Sequence, residues 1–164
     1  MVTTSRTVLQ VNISIVVENR SLEHWFLNKQ GKLQAWREWR STLVGLTADS
    51  AFNETAVWWK FVPLVNKSVD AWREDSWPDP WTLVGTGQFC PSAQGLGMFY
   101  SLVLAGFECS LTRAQLDKET RLVVLLPNDR LLNYYDGELV DMKNVDVEIL
   151  QTWTPSDLAR LVKV

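Results

Sequence analysis

The sequence predicts an α+β fold. It reads as one domain over residues 1–164, with a central helix packed against an antiparallel sheet. Three observations carry that expectation. The stretch Cys90–Gly106 has a proline start, a glycine stop and small residues every fourth position between them. The last third of the chain is a run of short β-prone segments separated by turn residues. With 164 residues and 46% hydrophobic content, one core can form without a disulfide or metal staple.

Taken in order, residues 7–17 alternate. Leu9, Val11, Ile13, Ile15 and Val17 lie on one face and Gln10, Asn12 and Ser14 on the other, the pattern of a half-buried strand. Residues 22–27 read as a short second strand, and 28–31 as a turn. Residues 32–44 read as a helix with Gly45 as its stop. Its cations Lys32, Arg37 and Arg40 interleave with Trp36 and Trp39, which suits either a solvated face or a nucleic-acid contact. Residues 47–56 read as a loop and 57–62 as a strand bounded by Pro63. Residues 66–76 read as a loop whose charges, Asp70, Arg73, Glu74 and Asp75, are solvated or form a cation site.

Trp77-Pro78-Asp79-Pro80-Trp81 is a stiff corner, because each proline restricts itself and its predecessor. Asp79 before Pro80 signals a capped short helix over 80–85. Pro91 starts a second helix over 91–105 with Cys90 at its cap. Ala93, Gly97, Ser101 and Ala105 then form a small-residue stripe on which another backbone can lie. Strands are expected over 122–126, 131–135, 138–142 and 145–150, with Asp136-Gly137 as a hairpin signal. Thr154-Pro155-Ser156-Asp157 opens a short last helix over 155–162.

Composition excludes several classes. A net charge of −3 argues against broad nucleic-acid binding, so nucleic acid is not expected as a direct partner. Two cysteines and one histidine are too few for a Cys/His zinc site, and no metal or cofactor is expected. The N-terminal residues lack a secretory layout and no apolar run approaches bilayer length, so no membrane partner is expected. The chain has nine tryptophans. Most should be core residues, with some at interfaces. Trp58, Trp59, Trp72, Trp77, Trp81 and Gly97 are the packing and interface candidates. Trp72, Trp77 and Trp81 would also suit an aromatic module for sugar or peptide.

Cys90 raises the question of chemistry, because a helix N-terminus lowers a thiol pKa and offers N–H groups to an oxyanion. A cysteine on a helix start followed by successive antiparallel strands resembles the core of the transglutaminase-like cysteine enzymes. In that family a G-x-C motif opens the helix, a histidine begins a later strand and an aspartate lies on the next. Here Gly87-Gln88-Phe89-Cys90 has one extra residue. The helix ends in Gly106-Phe107, and Asp136 falls near the acid position. No histidine follows His24, and His24 itself would reverse the family's order. The resemblance covers about residues 77–141 and implies a degenerate core with no complete catalytic set.

Trp58-Trp59, the WPDPWTL run from Trp77, the cysteine and the segment from Ala93 to Leu102 look like small virion or neck-associated proteins of tailed bacteriophages. That resemblance implies a non-catalytic structural subunit, made in the host cytoplasm. It would assemble as a homo-oligomer ring with other neck, tail or capsid proteins of the virion. The alternatives are a thiol enzyme of transglutaminase-like or cysteine-protease-like type with Cys90 as nucleophile, and an immunity- or inhibitor-type binding protein.

Overall fold

A computed structural model describes residues 23–162. Helix α1 runs Lys29–Leu43, α2 Ala48–Lys60, α3 Pro80–Thr86 and α4 Pro91–Leu104. Strands β1 Ser110–Gln115, β2 Thr120–Leu126, β3 Arg130–Leu132, β4 Leu139–Asp141 and β5 Glu148–Trp153 follow. They form one antiparallel sheet in the order β4-β3-β2-β1-β5. The α+β class is as expected. The strand expected over 7–17 lies outside the described residues.

Helix α4 is the centre of the molecule. Every residue from Ser92 to Leu102 is buried, as expected of a helix wrapped by protein on all sides. One flank lies on β2 and another on α2 and α1. Its end is a Schellman closure: Phe107 N–H reaches the Leu102 carbonyl at 2.9 Å, Gly106 N–H reaches Val103 at 3.0 Å, and Gly106 has φ 90°. Helix α3 begins on the expected cap, with Asp79 accepting from Thr82 N–H at 2.8 Å. It ends at left-handed Gly87, φ 66°, with Gly85 inside it.

The largest correction concerns residues 47–62. The expected loop and strand are one helix, α2, capped by Thr47. The burial pattern explains why. Ala51, Phe52, Thr55, Ala56 and Trp59 are buried at helical spacing, and this face lies against α4. Packing overrides the local β preference of Val57-Trp58-Trp59. The expected strand at 22–27 is, over His24–Phe26, a single 3₁₀ turn. It inserts Trp25 between Trp59 and Phe89, with ring centroids 5.3 and 4.9 Å away. The expected turn at 28–31 is the first turn of α1, because Asn28 caps it by accepting from Gly31 N–H at 2.8 Å. Gly45 is not a left-handed stop, since it is absent from the positive-φ positions, and a Cβ there meets nothing within 4 Å. Gly45→Ala is therefore expected to be neutral or to stabilise by up to about 1 kcal/mol, read as the urea midpoint.

Strand β1 was not expected from sequence at all. It sits inside the sheet between β2 and β5, carrying Arg113 and Gln115 at its end. Strand β3 stops at Leu132 because Asn133 turns left-handed, φ 72°. The expected hairpin is real: Leu131 pairs with Val140 and Leu132 with Leu139. Strand β5 begins later than expected, at Glu148. The reason is topological. β4 and β5 occupy opposite edges, so residues 142–147 must first cross the outer sheet face. There Met142, Val145 and Val147 pack on Val123, Leu131 and Ala114. Over 155–162 the capping box forms, Thr154 N–H to Asp157 Oδ2 at 2.9 Å and Asp157 N–H to Thr154 Oγ1 at 3.2 Å. The chain beyond it makes hydrogen-bonded turns rather than a regular helix.

Among the described residues no helix is long and apolar enough to cross a membrane.

Candidate functional site

Cys90 caps α4 from an extended conformation, and Pro91 occupies the first helical position. The thiol is 5% exposed and lines a cleft of about 460 Å³ with Asn66, Lys67, Asp70, Ser92 and Thr120. Burial by itself raises the pKa of this thiol. The Ser68 hydroxyl and backbone hydrogen bonds from Ala93, Val69 and Ser68 outweigh it, and the net direction is down. In the neutral form Sγ lies 3.6 Å from the Val69 carbonyl, to which it can donate.

Cys109 is the internal contrast. Burial, with a smaller contribution from Glu108, pushes it up to about 12. Iodoacetamide near neutral pH is therefore expected to modify Cys90 before Cys109, read by peptide mass spectrometry. The Cys109 shift also sets an alkaline limit. The unfolded thiol titrates near 9.0 and the folded one near 12. In that window the unfolded chain releases a proton that the folded chain keeps. The contribution is intact below about pH 9 and lost as pH rises toward 12. Tyr100, whose pKa is raised by burial and Asp79, adds in the same direction. Urea midpoints should fall across this range, and Cys109→Ala should flatten the fall.

The other members of a thiol-enzyme site are placed elsewhere. The residue that begins β2 and shares the Cys90 cleft is Thr120, which cannot act as a base at neutral pH. His24 stacks on Trp58 at 4.3 Å and lines a different cleft. Asp136, expected near the acid position, is exposed on the β3–β4 connection. A buried polar residue from the sheet beside the α4 start is instead Asn133. Its amide donates to the Pro91 carbonyl at 2.7 Å and the Leu122 carbonyl at 2.8 Å. Sequence reading missed Asn133, which lies inside the strand expected over 131–135; its only local signal was an Asn in the middle of that run.

The charged loop 66–76 does not gather into a site. Asp70 caps its own turn by accepting from Trp72 N–H at 2.9 Å, and the Glu74 carbonyl accepts from Trp77 N–H and Arg160. Among the described residues no three His, Cys, Asp or Glu side chains are grouped to hold a metal ion.

The aromatic candidates separate into two sets. Trp58, Trp59, Trp77 and Gly97 are interior. Trp77 donates to the Asp70 carbonyl at 2.6 Å and meets Trp153 edge-on at 5.0 Å. Trp72 and Trp81 are 58% and 42% exposed. Trp72 lies over the Arg113 guanidinium at 4.1 Å, whereas Trp81 lines a cleft with Arg37 and Arg40. The three tryptophans proposed as one aromatic module, Trp72, Trp77 and Trp81, therefore do not form a common surface.

Two further clefts flank α1. The larger of the two, about 590 Å³, lies between α1, α2 and the 3₁₀ turn. Its wall contains a stack in which Trp58 lies between His24 and Trp39, with centroids 4.3 and 4.4 Å apart. Glu23, Glu38 and Glu54 line it, and among the described residues no lysine or arginine does. The other, about 500 Å³, holds Arg37, Arg40, Glu38 and Trp81. Arg40 lies 4.1 Å over the Trp36 ring, and its Nε is buried without a partner. Burial, then Arg37, holds its pKa below the usual guanidinium range.

Compared with protein-family models and with curated proteins, the sequence matches none.

Proposed function

We propose that this chain is a non-catalytic assembly subunit, a component of the neck, tail or capsid region of a tailed-phage virion that works as an oligomer. The observation that carries the non-catalytic part is the Cys90 cleft, where Thr120 stands at the strand start on which a thiol enzyme needs a base. The aromatic surfaces on both flanks of α1 support a protein that acts by contact. The virion assignment rests on the sequence resemblance alone. Light scattering of the pure protein, with electron microscopy of particles formed with and without it, tests the reading. A strict monomer bound to no particle component would overturn it.

One observation favours a second reading as a thiol enzyme: the net pKa of Cys90 is lowered although the thiol is buried. A Cys90 alkylation rate no faster than that of a free thiol at the same pH, and no acyl-enzyme with activated esters, would remove that reading.

A further inference from the structure

We propose that copies of this chain associate head to tail, the exposed Trp81 and the arginines beside it on one copy seating in the acidic aromatic cleft of the next. The inference deepens the assembly reading above and rests on it. Ala35, Trp39 and Thr42 face the acidic cleft, whereas Gln30, Leu33, Arg37 and Arg40 face the basic one. At 3.6 residues per turn these sets lie on opposite flanks of α1. A contact in which the basic flank of one copy meets the acidic flank of the next, with no return contact, joins unlike surfaces. It is heterologous and propagates into a ring or a filament.

The two flanks match in chemistry. The acidic side is an apolar socket floored by Leu27, Val57 and the Trp39–Trp58 stack and rimmed by Glu23 and Glu54. The ion pairs among the described residues are Arg121–Glu119 and Arg130–Asp49, and neither rim carboxylate takes part in one. The basic side offers an indole 42% exposed on α3 with Arg37 and Arg40 near it, also without a carboxylate in an ion pair. Glu38 sits on the ridge between the clefts, where Gln34 donates to it at 3.1 Å. Tryptophan and arginine are the residues that most often dominate a protein interface, and they do so when seated in a desolvated pocket. Opposite charge around that pocket selects the partner and sets its register.

The test uses sedimentation equilibrium of the full chain at low and high ionic strength, with three variants: Trp81→Ala, Glu54→Arg and Arg37→Glu. Glu54 and Arg37 are exposed, so the charge variants should fold, as circular dichroism will check. Wild type is expected to associate at low salt and dissociate as salt is raised. Each variant should weaken association at least about tenfold. The deciding measurement mixes Glu54→Arg with Arg37→Glu. The first keeps an intact basic side and the second an intact acidic side, so the mixture should form dimers and stop there. Association of all variants equal to wild type, or a mixture that stays monomeric, overturns the proposal. So does a monomeric wild type whose fluorescence shifts with an added Lys/Leu peptide, which would give the groove to a foreign basic partner. In that case binding to another particle component leaves the assembly reading standing; its absence as well removes both.

Discussion

Gly95→Ala should prevent the chain from reaching its native packing, costing more than about 3 kcal/mol. A Cβ at position 95 lies 2.1 Å from the Leu122 carbonyl oxygen and 2.8 Å from its carbon. Both atoms belong to the backbone of β2, in the interior of the sheet, so neither can swing aside. The Asn133 amide stands 2.9 Å away and would be displaced with its bonds to Pro91 and Leu122. Gly97 faces the opposite neighbour, where a Cβ lies 2.3 Å from Trp59 Cη2. Trp59 is fully buried and donates to Ser101, so Gly97→Leu should also destabilise strongly. Both glycines give up helix propensity of about 1 kcal/mol each for this proximity. Soluble yield and urea unfolding, with Gly45→Ala as the unhindered control, measure the effect. A Gly95→Ala midpoint equal to wild type would falsify the packing argument.

Ser101→Ala should cost roughly 2–5 kcal/mol. Its hydroxyl, fully buried, accepts from Trp36 Nε1 at 2.9 Å and Trp59 Nε1 at 3.0 Å. It donates in turn to the Gly97 carbonyl at 2.8 Å. One oxygen thus joins α1, α2 and α4. Alanine leaves two buried indole N–H groups without an acceptor, in a site too apolar to compensate them. Combining the change with Trp36→Phe removes one orphaned donor, so the double variant should lose less than the sum of the singles. Strict additivity of the two urea midpoint shifts would show that the shared hydroxyl is not the link.

The legible features were those written in local chemistry. Asp79-Pro80 and Cys90-Pro91 announced two helix starts, and Gly106 a stop, because caps and proline act through bonds spanning only a few residues. Asp136-Gly137 marked the β3–β4 hairpin for the same reason. Residues 47–62 were misread because Val57-Trp58-Trp59 have a β preference in isolation, while their burial partner, α4, is more than thirty residues away in sequence. Strand β1 was invisible because its hydrogen bonds come from β2 and β5, whose positions local patterning does not encode. At the site, Cys90 and its helix start were readable. Asn133 and Thr120 were not, because which residues meet a thiol depends on where two strands end.

The central helix, its capped start at Cys90-Pro91 and its small-residue stripe are written in the residues themselves, since helical period and terminal caps are local. So is the place of the only histidine ahead of Cys90, a fact of order that no folding changes. What the stripe is for depends on the packing of the folded chain. Gly97 and Ser101 receive two tryptophans, and Gly95, outside the stripe, receives the backbone of β2. The folded chain alone decides that Trp58 and Trp59 are interior while Trp72 and Trp81 face outward, because long-range packing, rather than residue type, chooses which of nine chemically identical indoles are buried.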